Sequence, residues 1–157
     1  MIVIADASPI NYLIILGEID ILPQLYGRVI IADGVLEELT SAPAPDEVIM
    51  WLNARPTWLE VRSLEGPIAP DLVERLDKGE SESIQLAVDL DADILLIDEK
   101  RGRRLAVERG FKVVGVLGIL ILADEKGLVN FEDAVQKLIT TNFYVSEAIL
   151  KRLRNER

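Results

Sequence analysis

Five oxygen-bearing side chains stand where this sequence could place chemistry: Asp6 and Ser8 in "VIADASPINYL", Glu38 in "ADGVLEELT", Glu80 in "DKGESESIQLAVDL" and Asp98 in "ILLIDEKRGRRLA". The chain has neither histidine nor cysteine. That removes imidazole and thiolate metal sites, disulfides, cysteine nucleophiles and every histidine-based acid–base device. Carboxylates and hydroxyls are left. Three or four carboxylates in one cleft suit a hard, oxygen-seeking Mg²⁺ or Mn²⁺ rather than zinc. Such ions activate water at neutral pH and stabilise charge developing on a phosphate, so the chemistry implied is phosphodiester hydrolysis.

Each residue also has a plainer reading. Asp6 closes the apolar run "IVIA" (2–5), and the helix after it already has Ser8 at an N-cap position and Pro9 at the first helical position. Asp6 is thus free for other work, or bonds nearby loop N–H groups. Ser8 either caps that helix or sets a hydroxyl beside a metal. Asp98 closes the run "ILLI" (94–97); its alternative is a loop cap followed by a solvated Glu99. In the third segment, about 100° per residue gathers Ile84, Leu86, Ala87, Val88 and Leu90 on one face, with Glu80 near its centre and Glu82 well over about 90° away. Glu80 is expected to point inward, where a shared metal is one way to satisfy it, and Glu82 to be solvated and remote. The alternative for Glu80 is a capping box with Asp77. In "ADGVLEELT", Val35, Leu36 and Leu39 mark the buried side; Glu38 flanks it and Glu37 lies nearly opposite, though a solvated Glu38 is the alternative.

The elements that must position these residues follow from periodicity. Strands are predicted at 2–5, 29–32, 59–61, 94–97 and 112–114, and helices at about 9–17, 34–41, 46–54, 70–77, 80–91, 101–109, 115–126, 131–140 and 145–155. That alternation implies an α/β fold with a parallel sheet covered on both faces. The runs at 29–32 and 94–97 lack polar alternation, as strands buried on both sides do. Sites in such sheets form beyond the carboxyl ends of strands, where strand order reverses. If the strands before Asp6 and Asp98 are neighbours there, both side chains face one crevice. The proline-bearing stretches "SAPAPDE" and "EGPIAPD" are too short for linkers, so residues 1–157 are expected to form a single domain.

With 157 residues, half of them hydrophobic, the chain can bury a sizeable core. Its net charge of −10 argues against coating nucleic acid by bulk electrostatics, although bound cations can reverse the sign locally. Lys100, Arg101, Arg103 and Arg104 either steer a polyanion or form a solvated face paired with Glu99 and Glu108. A second basic cluster, 150–157, is expected on an exposed C-terminal helix. The N-terminus does not resemble a secretory signal, and the longest apolar run, 113–123, is too short to cross a bilayer, so a cytoplasmic location without membrane contact is expected.

Taken in order, "DAS", "VLEEL", "GESESIQLA" and "LLIDEKRGRRLA" resemble the PIN-domain nucleases. The likeness is greatest to the branch related to VapC-type toxins, which has a "GE" pair before an Ile/Ala-rich helix and a closing "VVG-x-LG-x-L" segment, as in "VVGVLGILILADEKGL". It covers about residues 2–128, with C-terminal helices beyond. The resemblance implies a three-layer α/β/α sandwich around a parallel sheet of about five strands, and a Mg²⁺/Mn²⁺-dependent ribonuclease. It further implies Asp6, Glu38, Glu80 and Asp98 as the acidic positions, Ser8 as the family's Ser/Thr, an RNA substrate, frequent dimerisation and, for a toxin, a small antitoxin partner. Glu80 stands where aspartate is commoner in the family, a change usual in this branch. A homodimer is also expected because the helices after residue 114 carry more apolar residues than one buried stripe needs. A haloacid-dehalogenase-like phosphatase would need an aspartate where Ser8 stands, and a response-regulator receiver an acidic pair near the first strand. The remaining rival is a PIN fold that has lost catalysis and serves as an interaction module.

Overall fold

Five short apolar runs pair side by side in parallel: β1 (Val3–Ala5), β2 (Val29–Ala32), β3 (Leu59–Arg62), β4 (Ile94–Leu96) and β5 (Lys112–Val114). The computed structural model describes residues 1–155. Strand order is β3-β2-β1-β4-β5. Register sets Ile4 against Ile30 on one side and against Leu95 on the other. Val3, Ile4 and Ala5 have no exposed surface, so β1 is covered on both faces, as its unbroken apolar run requires.

Ten helices are described: α1 (Ala7–Ile15), α2 (Ile21–Tyr26), α3 (Asp33–Thr40), α4 (Asp46–Asn53), α5 (Pro70–Arg75), α6 (Lys78–Leu90), α7 (Lys100–Glu108), α8 (Val116–Glu125), α9 (Phe131–Ile139) and α10 (Glu147–Asn155). The chain leaves β1 toward β2 and β3, then returns past β1 to β4 and β5. Right-handed crossovers therefore send the helices following β1 and β2 to one face, and those following β3 and β4 to the other. Packing follows this for α6 with α5 and α7 and for α8 with α1, α2 and α9, while α3, which starts directly at the end of β2, also packs extensively against α6. Buried residues from Val3 to Leu150 form one apolar cluster. Among the described residues no helix is long and apolar enough to cross a membrane.

Three local features differ from the sequence reading. Helix α1 begins at Ala7, so Ser8 and Pro9 lie inside its first turn, where a proline's missing N–H costs nothing. The N-cap position falls to Asp6, whose side chain makes no capping bond, so Ser8 is not the cap. Helix α2, "ILPQLY", was not expected; six residues with an internal proline show no helical period. Helix α10 is more than an exposed basic tail, because Leu150 is buried in the core and Leu153 packs against it.

Candidate active site

Strand order reverses between β1 and β4, and the backbone joins them to the very end: the Asp6 N–H donates to the Leu96 carbonyl at 2.8 Å. Asp6 and Asp98 therefore leave the carboxyl edge of the sheet from neighbouring strands, at the switch point.

A cleft of about 430 Å³ opens at that edge, and Asp6, Ser8, Glu38 and Glu80 all line it. Asp6 is only 5% exposed. Burial pushes its carboxyl up to about 7; the Ala7 N–H opposes this, and the charges of Glu38 and Asp77 add to it. Ser83 Oγ donates to the Gly79 carbonyl at 2.7 Å and stands 3.5 Å from Asp6 Oδ1. Glu80 serves two ends at once. Its backbone N–H donates to Asp77 Oδ1 at 2.9 Å, the first half of a capping box. Glu80 lines the cleft, but its Oε2 is buried near Gly102 of α7, 3.3 Å from where a Cβ there would stand, without a hydrogen-bond partner. Burial first, then the hydrogen bond and charge of Asp77 and the charge of Asp6, push Glu80 up to about 8. Glu38 stands exposed at the mouth, raised by partial desolvation and by Asp77. A Cβ on Gly79 would lie 3.3 Å from Glu38 Oε1 and 3.8 Å from Asp6 Oδ1, so the bare backbone there admits both carboxylates.

Asp98 corrects the expectation of a single crevice. It lines a neighbouring groove, which shares Ser8 and Glu99 with the cleft. Asp98 Oδ1 accepts from the Val116 N–H at the start of α8 (3.0 Å), and Oδ2 is buried without a partner. Burial pushes this carboxyl up to about 6 against the Val116 N–H and the nearby Arg103. Its charge is felt at Tyr12, a cleft residue, whose hydroxyl is raised mainly by burial and then by Asp98. Asp98 thus lies on the groove side of the boundary that Ser8 and Glu99 share. A Cβ on Gly115 would meet Asp98 Oδ1 at 2.5 Å, although the backbone (φ −97°) suits alanine. Gly115→Ala is therefore expected to force Asp98 off the Val116 N–H. The expected cost is about 1–3 kcal/mol of stability, read by urea denaturation. Unchanged stability would mean that the carboxylate moves freely.

Glu82 is the clearest reversal. It is 8% exposed rather than solvated, and its Oε1 accepts from the Gly34 N–H in the first turn of α3 at 3.0 Å. The first turns of α6 are enclosed by α3, α5 and α7 and by strands β1 and β2 beneath. Burial there runs through Gly79, Ser81, Glu82 and Ser83, while Val88 is 44% exposed. The apolar face read from residues 84–90 does not extend to the helix start. Glu82 anchors the helix that carries Glu38, whereas Glu37 points outward and pairs with Lys78 at 2.8 Å.

Of the basic residues, Lys100 and Arg103 line the groove together with Arg152 from α10. Arg101 turns away and donates to the Arg75 carbonyl. Three polar cleft residues escaped the sequence reading: Asn11, Tyr12 and Asn142. Tyr12 Oη donates to Asn142 Oδ1 at 2.6 Å, and its ring meets Phe143 edge-on at 4.9 Å. This holds the segment after α9 over α1. No local pattern signals a partner 130 residues away.

Among the described residues, no three acidic side chains are already gathered tightly enough to hold a metal ion. The donor set nevertheless fits one. Glu80 Oε2 and Asp98 Oδ2 are buried oxygens without partners, and Asp6 is buried with its charge suppressed. All are hard oxygen donors of the kind Mg²⁺ and Mn²⁺ take.

A family model described as "DUF3368: PIN domain" matches residues 2–156. No curated protein matches the chain. Among solved structures, a PilT N-terminus domain protein, SSO1118, from the hyperthermophilic archaeon Sulfolobus solfataricus P2 is similar with a TM-score of 0.58. The match covers 78% of this chain and 93% of that one at 20% identity, a likeness of fold alone.

Proposed function

The chain belongs to the PIN-domain family, and from that premise we propose that it is a Mg²⁺- or Mn²⁺-dependent ribonuclease. The observation carrying this reading is geometric: at the switch point of the sheet Asp6, Glu38 and Glu80 line one cleft, Asp98 lines the adjoining groove, and Glu80 Oε2 and Asp98 Oδ2 are buried oxygens without a hydrogen-bond partner. An acid-only site with orphaned oxygens is costly unless a cation completes it.

Asp6, Glu80 and Glu38 would hold the ion from the cleft and Asp98 from the groove that adjoins it. Once bound, it would supply water activation and charge neutralisation for phosphodiester cleavage. The carboxyls give up their protons on binding, so loading is favoured as pH rises. Ser8 presents a hydroxyl at the cleft's edge. Asn142, its carbonyl engaged by Tyr12, keeps its Nδ2 donors for a substrate phosphate. Burial of Asp6 limits competing water at the floor. An RNA substrate, a homodimer and a small antitoxin-like partner belong to the same proposal and rest on the family resemblance.

Asp6→Asn tests the assignment, because the amide keeps the shape and loses the charge. We expect an intact fold, metal-free stability equal to or above wild type through relief of carboxylate repulsion, and Mn²⁺ affinity at least about tenfold weaker by calorimetry. Wild type should cut a mixed RNA pool with Mn²⁺ and not with EDTA. If Asp6→Asn unfolds the protein while Mn²⁺ affinity is unchanged, Asp6 is structural. Absence of both Mn²⁺ binding and cleavage in wild type would leave a PIN fold acting as an interaction module.

A further inference from the structure

The groove beside the cleft has a volume of about 780 Å³, within the range of about 300–1,000 Å³ found for ligand sites. Its floor is apolar, from Val113, Leu117 and Ile121, and its outer wall is the segment after α9 together with α10. Ser8 and Glu99 line both depressions, so one extended ligand can pass from cleft to groove.

Two features point to the ligand's chemistry. Tyr144 lines the wall and is 85% exposed, leaving its ring bare, while the adjacent Phe143 is fixed against Tyr12. In a chain of net charge −10, Lys100, Arg103 and Arg152 converge on this one groove. A bare aromatic face beside cations is the combination that binds single-stranded nucleic acid: bases stack on the ring and phosphates meet the cations. The cleft has no lysine or arginine in its lining, whereas the groove sets three cations beside its two carboxylates, Asp98 and Glu99. An apolar peptide would fill the floor but offer no anion to Lys100 and Arg103, so charge complementarity favours the polyanion.

We propose that this groove binds a nucleotide of single-stranded RNA flanking the one at the cleft, with Tyr144 as the stacking face and Lys100 and Arg103 as phosphate contacts. The assignment rests on the nuclease reading but is tested apart from it. The probe is a fluorescein-labelled single-stranded RNA of about ten nucleotides, a length matched to such sites, followed by anisotropy in EDTA so that no turnover occurs. Tyr144→Ala should weaken binding about tenfold, and Tyr144→Phe, which keeps the ring, should stay within about twofold of wild type. Arg103→Ala should lower the slope of log affinity against log salt by about one contact. Leu117→Glu, a carboxylate in the floor, serves as a second probe and should also weaken binding.

Wild-type affinity in Tyr144→Ala, equal losses in the alanine and phenylalanine variants, or a groove variant that changes only the molecular mass by light scattering would each overturn the subsite. Turnover with Mn²⁺ at a KM indifferent to Tyr144 would overturn the subsite and leave the nuclease standing. Tyr144-dependent binding without any turnover would support the subsite and overturn the nuclease.

Discussion

Glu80→Gln is expected to reduce Mn²⁺-dependent RNA cleavage by about 10²–10³-fold, while Glu82→Gln leaves turnover per folded molecule within a few-fold of wild type. The two residues are chemically identical and two positions apart on α6, Glu82 buried and Glu80 half-buried. Their partners separate them. Glu80 lines the cleft, its Oε2 is buried without a hydrogen-bond partner, and its carboxyl is raised to about 8. Glu82 spends its carboxylate on the Gly34 N–H. A glutamine at 82 can still accept that bond through its carbonyl oxygen, but loses the negative charge at the positive end of α3. It should cost about 1 kcal/mol of stability and little chemistry. A glutamine at 80 keeps whatever capping geometry exists, because glutamine also occupies that capping-box position. It loses only the ability to neutralise a cation. Initial rates at saturating Mn²⁺, normalised to folded protein, and urea melts read the two effects separately. Equal rates in the two variants would reject Glu80 as a metal-site residue.

The same pair shows where a sequence stops informing. The place of Glu80 was legible only as an orientation, read from an apolar face that the structure confines to the later turns of α6. The burial of Glu82 was not, because it depends on a second wall, the start of α3, arriving from 48 residues away. Asp6 and its strand were legible as an apolar run cut off by an acid before a helix. The pairing of β1 with β4, assumed from the sequence, is present in the register of Val3 with Ile94 and Ala5 with Leu96. That pairing brings Asp98 to the right edge of the sheet. The turn of its side chain into the groove is fixed by the Val116 N–H and the bare Gly115, two details of the next strand-to-helix turn. Asn142 lies at the far extreme, since its place at the cleft depends on a contact between α1 and the segment after α9. The strands themselves and the positions of the acids along the chain follow from local pattern, while strand order does not. The hydrogen bonds that aim each acid follow from tertiary neighbours, and those decide which carboxyls remain available to a ligand.

In the absence of divalent ions the protein is expected to become more stable as pH falls from 8 to 5, by about 2–4 kcal/mol. The sign comes from the folded state holding protons that the unfolded state releases. Unfolded carboxyls titrate near 4. In the folded chain Asp98, Asp6 and Glu80 titrate near 6, 7 and 8, raised first of all by burial. Between about pH 4 and 8 the native protein therefore binds more protons. The stabilisation is fully present below the unfolded values and is lost as pH rises through 6 to 8. Asp6 dominates because it is only 5% exposed; its rise from 3.8 to about 7 corresponds to at most about 4 kcal/mol. The others are more solvated and contribute less. Asp71, held low first by its hydrogen bond to Arg109, works in the opposite sense, but only as pH falls through the ordinary carboxylate range, below this window. General repulsion in a chain of net charge −10 also eases on acidification, so the slope must be assigned to the site by Asp6→Asn, which should flatten it. Saturating Mn²⁺ should act oppositely to the proton: by displacing it from the same oxygens, the ion stabilises most at pH 8 and least at pH 5. Urea denaturation at four pH values with EDTA or Mn²⁺ measures both trends. A flat profile in EDTA, or the same slope in Asp6→Asn as in wild type, would show that the buried carboxyls do not hold these protons, and the cation would then have no charge-suppressed site to complete.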